Sequence, residues 1–190
     1  MTSTAHGARR QRSDAQRNVA ALLDAAREVF ARVGVDAPAK EITDLAGVGV
    51  GTLYRHFPHR SDLIAAVLQH EVDECVESAI TLAASQTPLN ALVAWIDRFT
   101  AFVGTKRGLA TALHSGDPAF DGLPNYLFEQ LVPVLDGLLE TAKADNAVRA
   151  DVDARDILLT VALLCHPTSS GDPRFSEHMI HVFIDGLRRA

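Results

Sequence analysis

The chain has 190 residues, 47% of them apolar and 22% charged, with a formal net charge of −6. That length and balance describe one large or two small globular domains with a true hydrophobic core. They exclude a disulfide scaffold or zinc finger, since Cys75 and Cys165 are the only cysteines, and a membrane helix, since the longest nearly unbroken apolar run, Ile157 to Cys165, falls far short of the ~20 residues needed.

The net charge argues against a nucleic-acid partner until the chain is divided. Residues 1–60 hold nine Lys/Arg against six Asp/Glu, and residues 61–190 hold nine against eighteen. A basic end suited to phosphate and an acidic body that avoids it are expected. The amino terminus has no apolar signal core, so a cytoplasmic protein with reduced thiols is expected.

In chain order, residues 1–12 are polar, carry Arg9, Arg10 and Arg12 and show no apolar period, which predicts a flexible basic arm. Ser13 and Gln16 form a capping-box signature. Val19, Leu22, Leu23, Ala26, Val29, Phe30 and Val33 then trace one helical face that Gly34 ends, and Arg17 points elsewhere, within reach of a phosphate. Pro38 suits the first turn of the next helix.

Glu41 to Leu63 is the most informative stretch. Ile42, Leu45 and Ala46 give helical apolar spacing, and Gly47 can take the left-handed turn that stops a helix. Val48 and Leu53 can fill the angle with a second short helix, about Val50 to His56, that gathers Thr52, Tyr54, Arg55 and His56. A hydroxyl, a phenol, a guanidinium and an imidazole all donate hydrogen bonds to phosphate. Two helices joined in this way are the chemistry of a helix-turn-helix on DNA. The run Gly47-Val48-Gly49-Val50-Gly51-Thr52 also resembles a phosphate-cradling glycine loop, but no strand precedes it and no lysine follows.

Ser61 is expected to cap a long fourth helix that Thr87-Pro88 breaks. Leu92, Trp95, Ile96, Phe99 and Val103 form one later stripe, and Leu127, Leu131, Val134, Leu135 and Leu138 another. Pro133 should kink the second, and Asn146 can end it in a left-handed turn. Asp153 caps a helix that is apolar almost all round, from Ile157 to Leu164, which calls for burial on two sides and so for a partner subunit. A last helix from Asp172-Pro173 places Phe175, Met179, Val182, Phe183 and Leu187 on one face, with Gly186 allowing close approach. No alternating strand pattern occurs, so the fold class is all-α, with domains at 13–60 and 61–190.

Around the helix-turn-helix the sequence resembles the TetR family of bacterial transcriptional regulators. The residues that carry the resemblance are Ile42, Ala46-Gly47-Val48, Gly51-Thr52-Leu53-Tyr54-Arg55-His56-Phe57 and Arg60, the last in place of a usual lysine, with Thr43 where alanine is common. The resemblance implies phosphate contacts from Lys40, Thr52, Tyr54, His56 and Arg60, with Thr43 also in the DNA-binding set. Val50, Gly51 and Arg55 would lie nearest the bases. It also implies a homodimer through the last two helices, at Leu158, Val161, Ala162, Met179, Val182, Phe183 and Gly186. A further implication is a pocket for a small-molecule effector, for which Trp95, Phe99, Phe102, Leu113, His114, Tyr126 and Leu127 are candidates, although aromatic stripes at helical spacing usually pack a core. Lys106-Arg107-Gly108-Leu109 resembles a segment of one group in the family.

The expected function is a repressor released from an inverted-repeat operator by a small molecule. The alternatives are an activator or a helix-turn-helix protein used mainly to bind proteins. His178, His181 and Asp185 share a helix face at a spacing that could hold a metal, though a solvated face is commoner, and no cofactor is expected. No Walker loop, nucleophile elbow or paired catalytic carboxylates point to an enzyme.

Overall fold

The computed structural model describes the backbone of residues 3–105, 116–165 and 173–189. Among these residues it is all-α, with eight α-helices. The first four are α1 (Ser3–Val33), α2 (Ala39–Ala46), α3 (Val50–His56) and α4 (Arg60–Ser85). They are followed by α5 (Pro88–Thr105), a 3-10 turn (Pro118–Phe120), α6 (Leu123–Ala144), α7 (Ala154–Leu164) and α8 (Pro173–Leu187). No described helix is long and apolar enough to cross a membrane. The chain divides into two compact units, Met1–His70 with Thr105–Asp121, and Glu71–Gly104 with Gly122–Ala190.

In the first unit, Leu22, Leu23, Ala26, Val29 and Phe30 of α1, Ile42 of α2, Leu53 of α3 and Leu63, Ile64, Val67 and Leu68 of α4 are buried. Helix α2 stops in a Schellman turn. Gly47 takes φ 68°, its N–H bonds Asp44 O, and the N–H of Val48 reaches back to Thr43 O at 3.1 Å. Both bonds satisfy carbonyls that a helix end leaves open. Gly34, with φ 95°, ends α1 in the same left-handed region.

Several boundaries differ from the sequence reading. Helix α1 begins at Ser3, so Ser13 is an interior residue and residues 3–12 are helical rather than an arm, as their Ala, Arg and Gln content favours. Pro38, extended at φ −60° and ψ 137°, caps α2 instead of opening its first turn. Ser61 does not cap α4. That helix begins at Arg60, and Asp62 accepts from the N–H of His59 at 2.9 Å. Val33 and Leu45, assigned to apolar faces, are exposed.

In the second unit, Val72, Cys75 and Ala79 of α4 are buried together with Ala91, Leu92, Trp95, Ile96, Phe99 and Phe102 of α5. Helix α6 contributes Leu131, Leu135, Leu138, Leu139 and Ala142 and runs through Pro133 to Ala144. Its end repeats the Schellman pattern around Asn146, whose φ is 56°, with Ala147 N–H bonded to Ala142 O at 3.0 Å. The Asp153 carboxylate accepts from the N–H of Asp156 at 2.8 Å, capping α7.

Helix α8 carries apolar residues on two sides. Its buried side is Ser176, Ile180, Ile184 and Leu187, whereas Phe175 and Val182 are exposed. The same split occurs on α7, where Ile157, Leu158 and Val161 are buried and Leu159 and Leu163 are exposed. After α8 the chain forms one antiparallel bridge, Val148 to Arg188, with Arg189 Nη1 donating to Asn146 Oδ1 at 2.7 Å. No sequence pattern announces it.

Candidate nucleic-acid interface and ligand cavity

Seven residues form α3, and among them only Leu53 is buried. That side chain anchors one face, so the opposite face is presented outward by the 3.6-residue period. Tyr54 is 53% exposed, and Gly51, Arg55 and His56 are also exposed, with Thr52 half-buried. Val50, at the helix start, is exposed too. No heavy atom lies within 4 Å of where a Cβ on Gly49 or Gly51 would stand, so the first turn of α3 offers bare backbone. The result is a small surface of phenol, guanidinium and imidazole around an apolar tip.

Helix α2 contributes less than expected. Lys40 is exposed, but its ammonium is held by the Asp44 carboxylate at 2.7 Å, a pair that solvent and salt weaken. Arg32 is paired with Glu41 at 2.6 Å. Thr43 is a correction: it is 1% exposed, and its hydroxyl donates to Lys40 O at 3.1 Å. It therefore lies in the core of the unit, where it cannot meet a phosphate.

Arg60, expected at a phosphate, folds back on the chain. Its Nε donates to Val35 O at 2.7 Å, and its Nη2 donates to the same oxygen and to Ala37 O at 2.6 Å. The guanidinium also lies over the Phe30 ring, 4.9 Å from its centroid. Burial pulls its pKa below the ordinary value, opposed by Asp36 and Tyr54. A guanidinium keeps its proton under such a shift, so the group stays a cation with its donors turned to backbone.

In the second unit, the aromatic stripe is packed core. Trp95 is fully buried and its Nε1 donates to Cys75 O at 2.9 Å. Trp95 stacks on Phe99 at 5.8 Å, and Phe99 meets Phe102 at 6.0 Å. Tyr126 is half-buried and donates to Asp73 at 3.0 Å, and Leu127 is half-buried beside it in sequence. Leu113, His114 and the Lys106–Leu109 segment lie outside the described residues.

A groove of about 360 Å³ lies elsewhere in the same unit, with Val76, Ile80, Ala91, Val134 and Leu138 on its apolar walls and Gln86 and Thr141 as polar lining. None of the candidate aromatic residues lines it. Sequence reasoning had no signal for it beyond the apolar positions of α4 and α6.

The acidic and thiol groups nearby are structural. Arg98 donates to Glu74 at 2.5 Å, and burial pushes the Cys75 thiol up to about 11. On α8, His178 and His181 are exposed, and Asp185 pairs with Arg188 at 3.2 Å.

Of the expected dimer residues, Leu158 and Val161 are buried within the protomer, whereas Ala162, Met179 and Phe183 are half-buried and Val182 and Gly186 exposed. The inward set is a correction. The outward large apolar side chains of these two helices are the expected Val182 together with Leu159, Leu163 and Phe175.

Two family profiles match the chain. One, described as bacterial regulatory proteins of the tetR family, covers residues 22–67. The other, described as the C-terminal domain of SbtR-like transcriptional regulators, covers residues 87–189. Among solved structures, a TetR transcriptional regulator from Streptomyces coelicolor is 33% identical with a TM-score of 0.73, over 90% of this chain and 99% of that one. A TetR transcription regulatory protein from Mycobacterium vanbaalenii is also 33% identical, with a TM-score of 0.75, over 94% of this chain and 99% of that one. An HTH-type transcriptional regulator of Staphylococcus aureus strain MRSA252 is 39% identical over 69 residues, 35% of this chain and 36% of its own length. The match to such curated relatives thus spans about a third of their length. With one profile on the helix-turn-helix and another across α5 to α8, the chain belongs to the TetR family of bacterial transcriptional regulators.

Proposed function

We propose that the protein is a cytoplasmic, homodimeric transcriptional repressor that holds an inverted-repeat operator and releases it when a small molecule binds. The observation that carries this reading is α3, a seven-residue helix anchored by Leu53 alone that presents Tyr54, Arg55 and His56 outward. In this reading Lys40, Thr52, Tyr54 and His56 hold phosphates, with Lys40 exchanging Asp44 for DNA. Val50, Gly51 and Arg55 lie against the bases. Val50 offers only apolar contact, for example to a thymine methyl, and Gly51 lets the backbone approach, so Arg55 is the main side chain able to read a base edge by hydrogen bonds. DNA shape supplies the rest of the specificity.

Two heads related by a two-fold axis read the two halves of an inverted repeat. An effector in the second unit acts only if it binds the released state better than the DNA-competent one. The groove beside Ile80 and Val134 is the candidate seat, and its apolar walls suit a partly hydrophobic molecule.

Selection of duplexes from a randomised library by the full-length protein, followed by binding across a salt series, tests the reading. A selected inverted repeat whose affinity falls steeply with salt, and falls by about tenfold with Tyr54→Ala, is the expected result. Recovery of no enriched sequence by a folded dimer overturns it.

A further inference from the structure

The geometry points to Arg60 as a positioning residue for operator binding: it clasps the α1–α2 turn to the start of α4 and so helps set the angle of the helix-turn-helix against α1 and α4, without touching a phosphate itself. The inference rests on the regulator reading above and concerns how its DNA-binding surface is held in place.

Three elements meet at this one side chain. Arg60 is the first residue of α4. Its planar face covers Phe30, a fully buried residue of α1. Its Nε and Nη2 donors reach Val35 O and Ala37 O, which belong to the turn between Gly34 and the cap of α2 at Pro38. Both acceptors lie outside any helix, in a turn that one backbone bond closes, Ala37 N–H to Gly34 O at 3.2 Å, and α2 starts directly after it. The Arg60 bonds add to that closure and to the packing of Ala37 and Ile42 in orienting α2, and α3 follows through the tight Gly47 turn. Directional bonds from a half-buried cation are well suited to the task, because each lost bond would leave a desolvated charge without its acceptor.

The identity of the residue matters as much as its charge. A guanidinium spreads its donors over separate nitrogens in a rigid plane, so it can bond two oxygens and lie over a ring in one conformation. A lysine concentrates its donors on one nitrogen and has no planar face. Were Arg60 a phosphate ligand, lysine would serve nearly as well, since either cation neutralises one phosphate. As a clasp, lysine fails. The two roles thus separate at a substitution that leaves the net charge untouched.

The experiment uses the full-length protein, a duplex selected by the wild type from a randomised library, and a random-sequence duplex of the same length. Affinities for both are measured across a salt series for wild type, Arg60→Lys and Arg60→Met. Melting curves fix a working temperature at which each is folded. If Arg60→Met does not fold, Arg60→Lys carries the comparison.

Arg60→Lys is expected to lose about tenfold or more on the selected duplex, hold within about twofold on the random one, and keep the wild-type salt slope on both, because no phosphate contact is removed. A loss of stability alone would not move the ratio between the two duplexes. Wild-type behaviour of Arg60→Lys on both duplexes overturns the assignment. So does a drop of about one in the salt slope of Arg60→Met with equal weakening on both, the signature of a lost phosphate contact. A wild type that enriches no duplex overturns the regulator reading itself and the assignment with it, and is distinguished from the other outcomes at the first step.

Discussion

Replacing Thr43 with valine keeps the side chain's shape and removes the hydroxyl that donates to Lys40 O. Because Thr43 is in the core of its unit, the change is expected to shift stability by about 1 kcal/mol or less, the net worth of one hydrogen bond. DNA affinity should stay at the wild-type level, and melting curves beside a binding titration check both. Tyr54→Ala should do the opposite. With over half of its surface exposed, Tyr54 contributes little to the fold, so the melting temperature holds while affinity for a selected duplex falls by about tenfold. From the sequence these two residues could not be told apart from their neighbours. Thr43 and Thr52 are both hydroxyls on short helices, and which one faces inward depends on how α1 and α4 pack around them. Arg60 was hidden in the same way, since a cation at the start of a helix can reach outward to phosphate or fold back on carbonyls. Cys75 offers a third check. Its thiol is buried and pushed up to about 11, so at pH 8 it is almost wholly protonated in the folded chain. Burial of Cys165 shields that thiol as well. Titration with a thiol reagent should therefore show no fast-reacting group until denaturant is added.

Two glycines four positions apart show what the helix-turn-helix requires of its backbone. Gly47 has φ 68°, in the left-handed region, while Gly51 sits inside α3, and neither has a heavy atom within 4 Å of a built Cβ. Space is therefore not the issue at either site, and conformation decides the sign. Gly47→Ala is expected to cost about 1–2 kcal/mol because an L-residue is strained there. Gly51→Ala should gain up to about 1 kcal/mol from helix propensity. The gain should come with weaker DNA binding, since the new methyl stands on the surface proposed to approach the duplex. Chemical denaturation of the two variants, with a binding titration for the second, measures both signs. The helix ends were legible for a local reason: Gly34, Gly47, Asn146 and Asp153 each act through their own backbone or side chain within a turn. The starts of α1 and α4 were not, because a good helix former can extend a helix past a plausible cap, and because Asp62 bonds the N–H of His59 where Ser61 looked like the cap. The facing of α8 was legible only in part. Its sequence carries two apolar stripes, Ile180, Ile184 and Leu187 on one side and Phe175 and Val182 on the other, and periodicity alone does not say which stripe turns inward.

That ambiguity has a consequence for the assembly. A helix with one apolar stripe is complete inside a monomer, whereas α7 and α8 each satisfy a core and still present a second stripe to solvent. Leu163 is 69% exposed, Phe175 and Val182 are 48% exposed, and Leu159 is 40% exposed. Exposed large apolar side chains of this kind suit an association surface. In a two-fold dimer each residue appears twice, so a single substitution acts on both sides of the interface. Leu163→Glu is accordingly expected to leave the helicity and the core intact, because Leu163 belongs to neither the Ile157–Leu158–Val161 set nor the α8 inner stripe. It should also place two carboxylates in the contact. Burying a leucine is worth roughly 1.5–3 kcal/mol, so losing two and adding unpaired charge should shift the dimer toward monomer. Sedimentation velocity reads that change directly. Binding reads it independently: affinity for a full inverted repeat should fall toward that for a single half-site, since the second head no longer benefits from being tethered to the first. A variant that stayed dimeric with full-site affinity would place the two-fold axis away from α7 and leave Leu163 an ordinary exposed side chain.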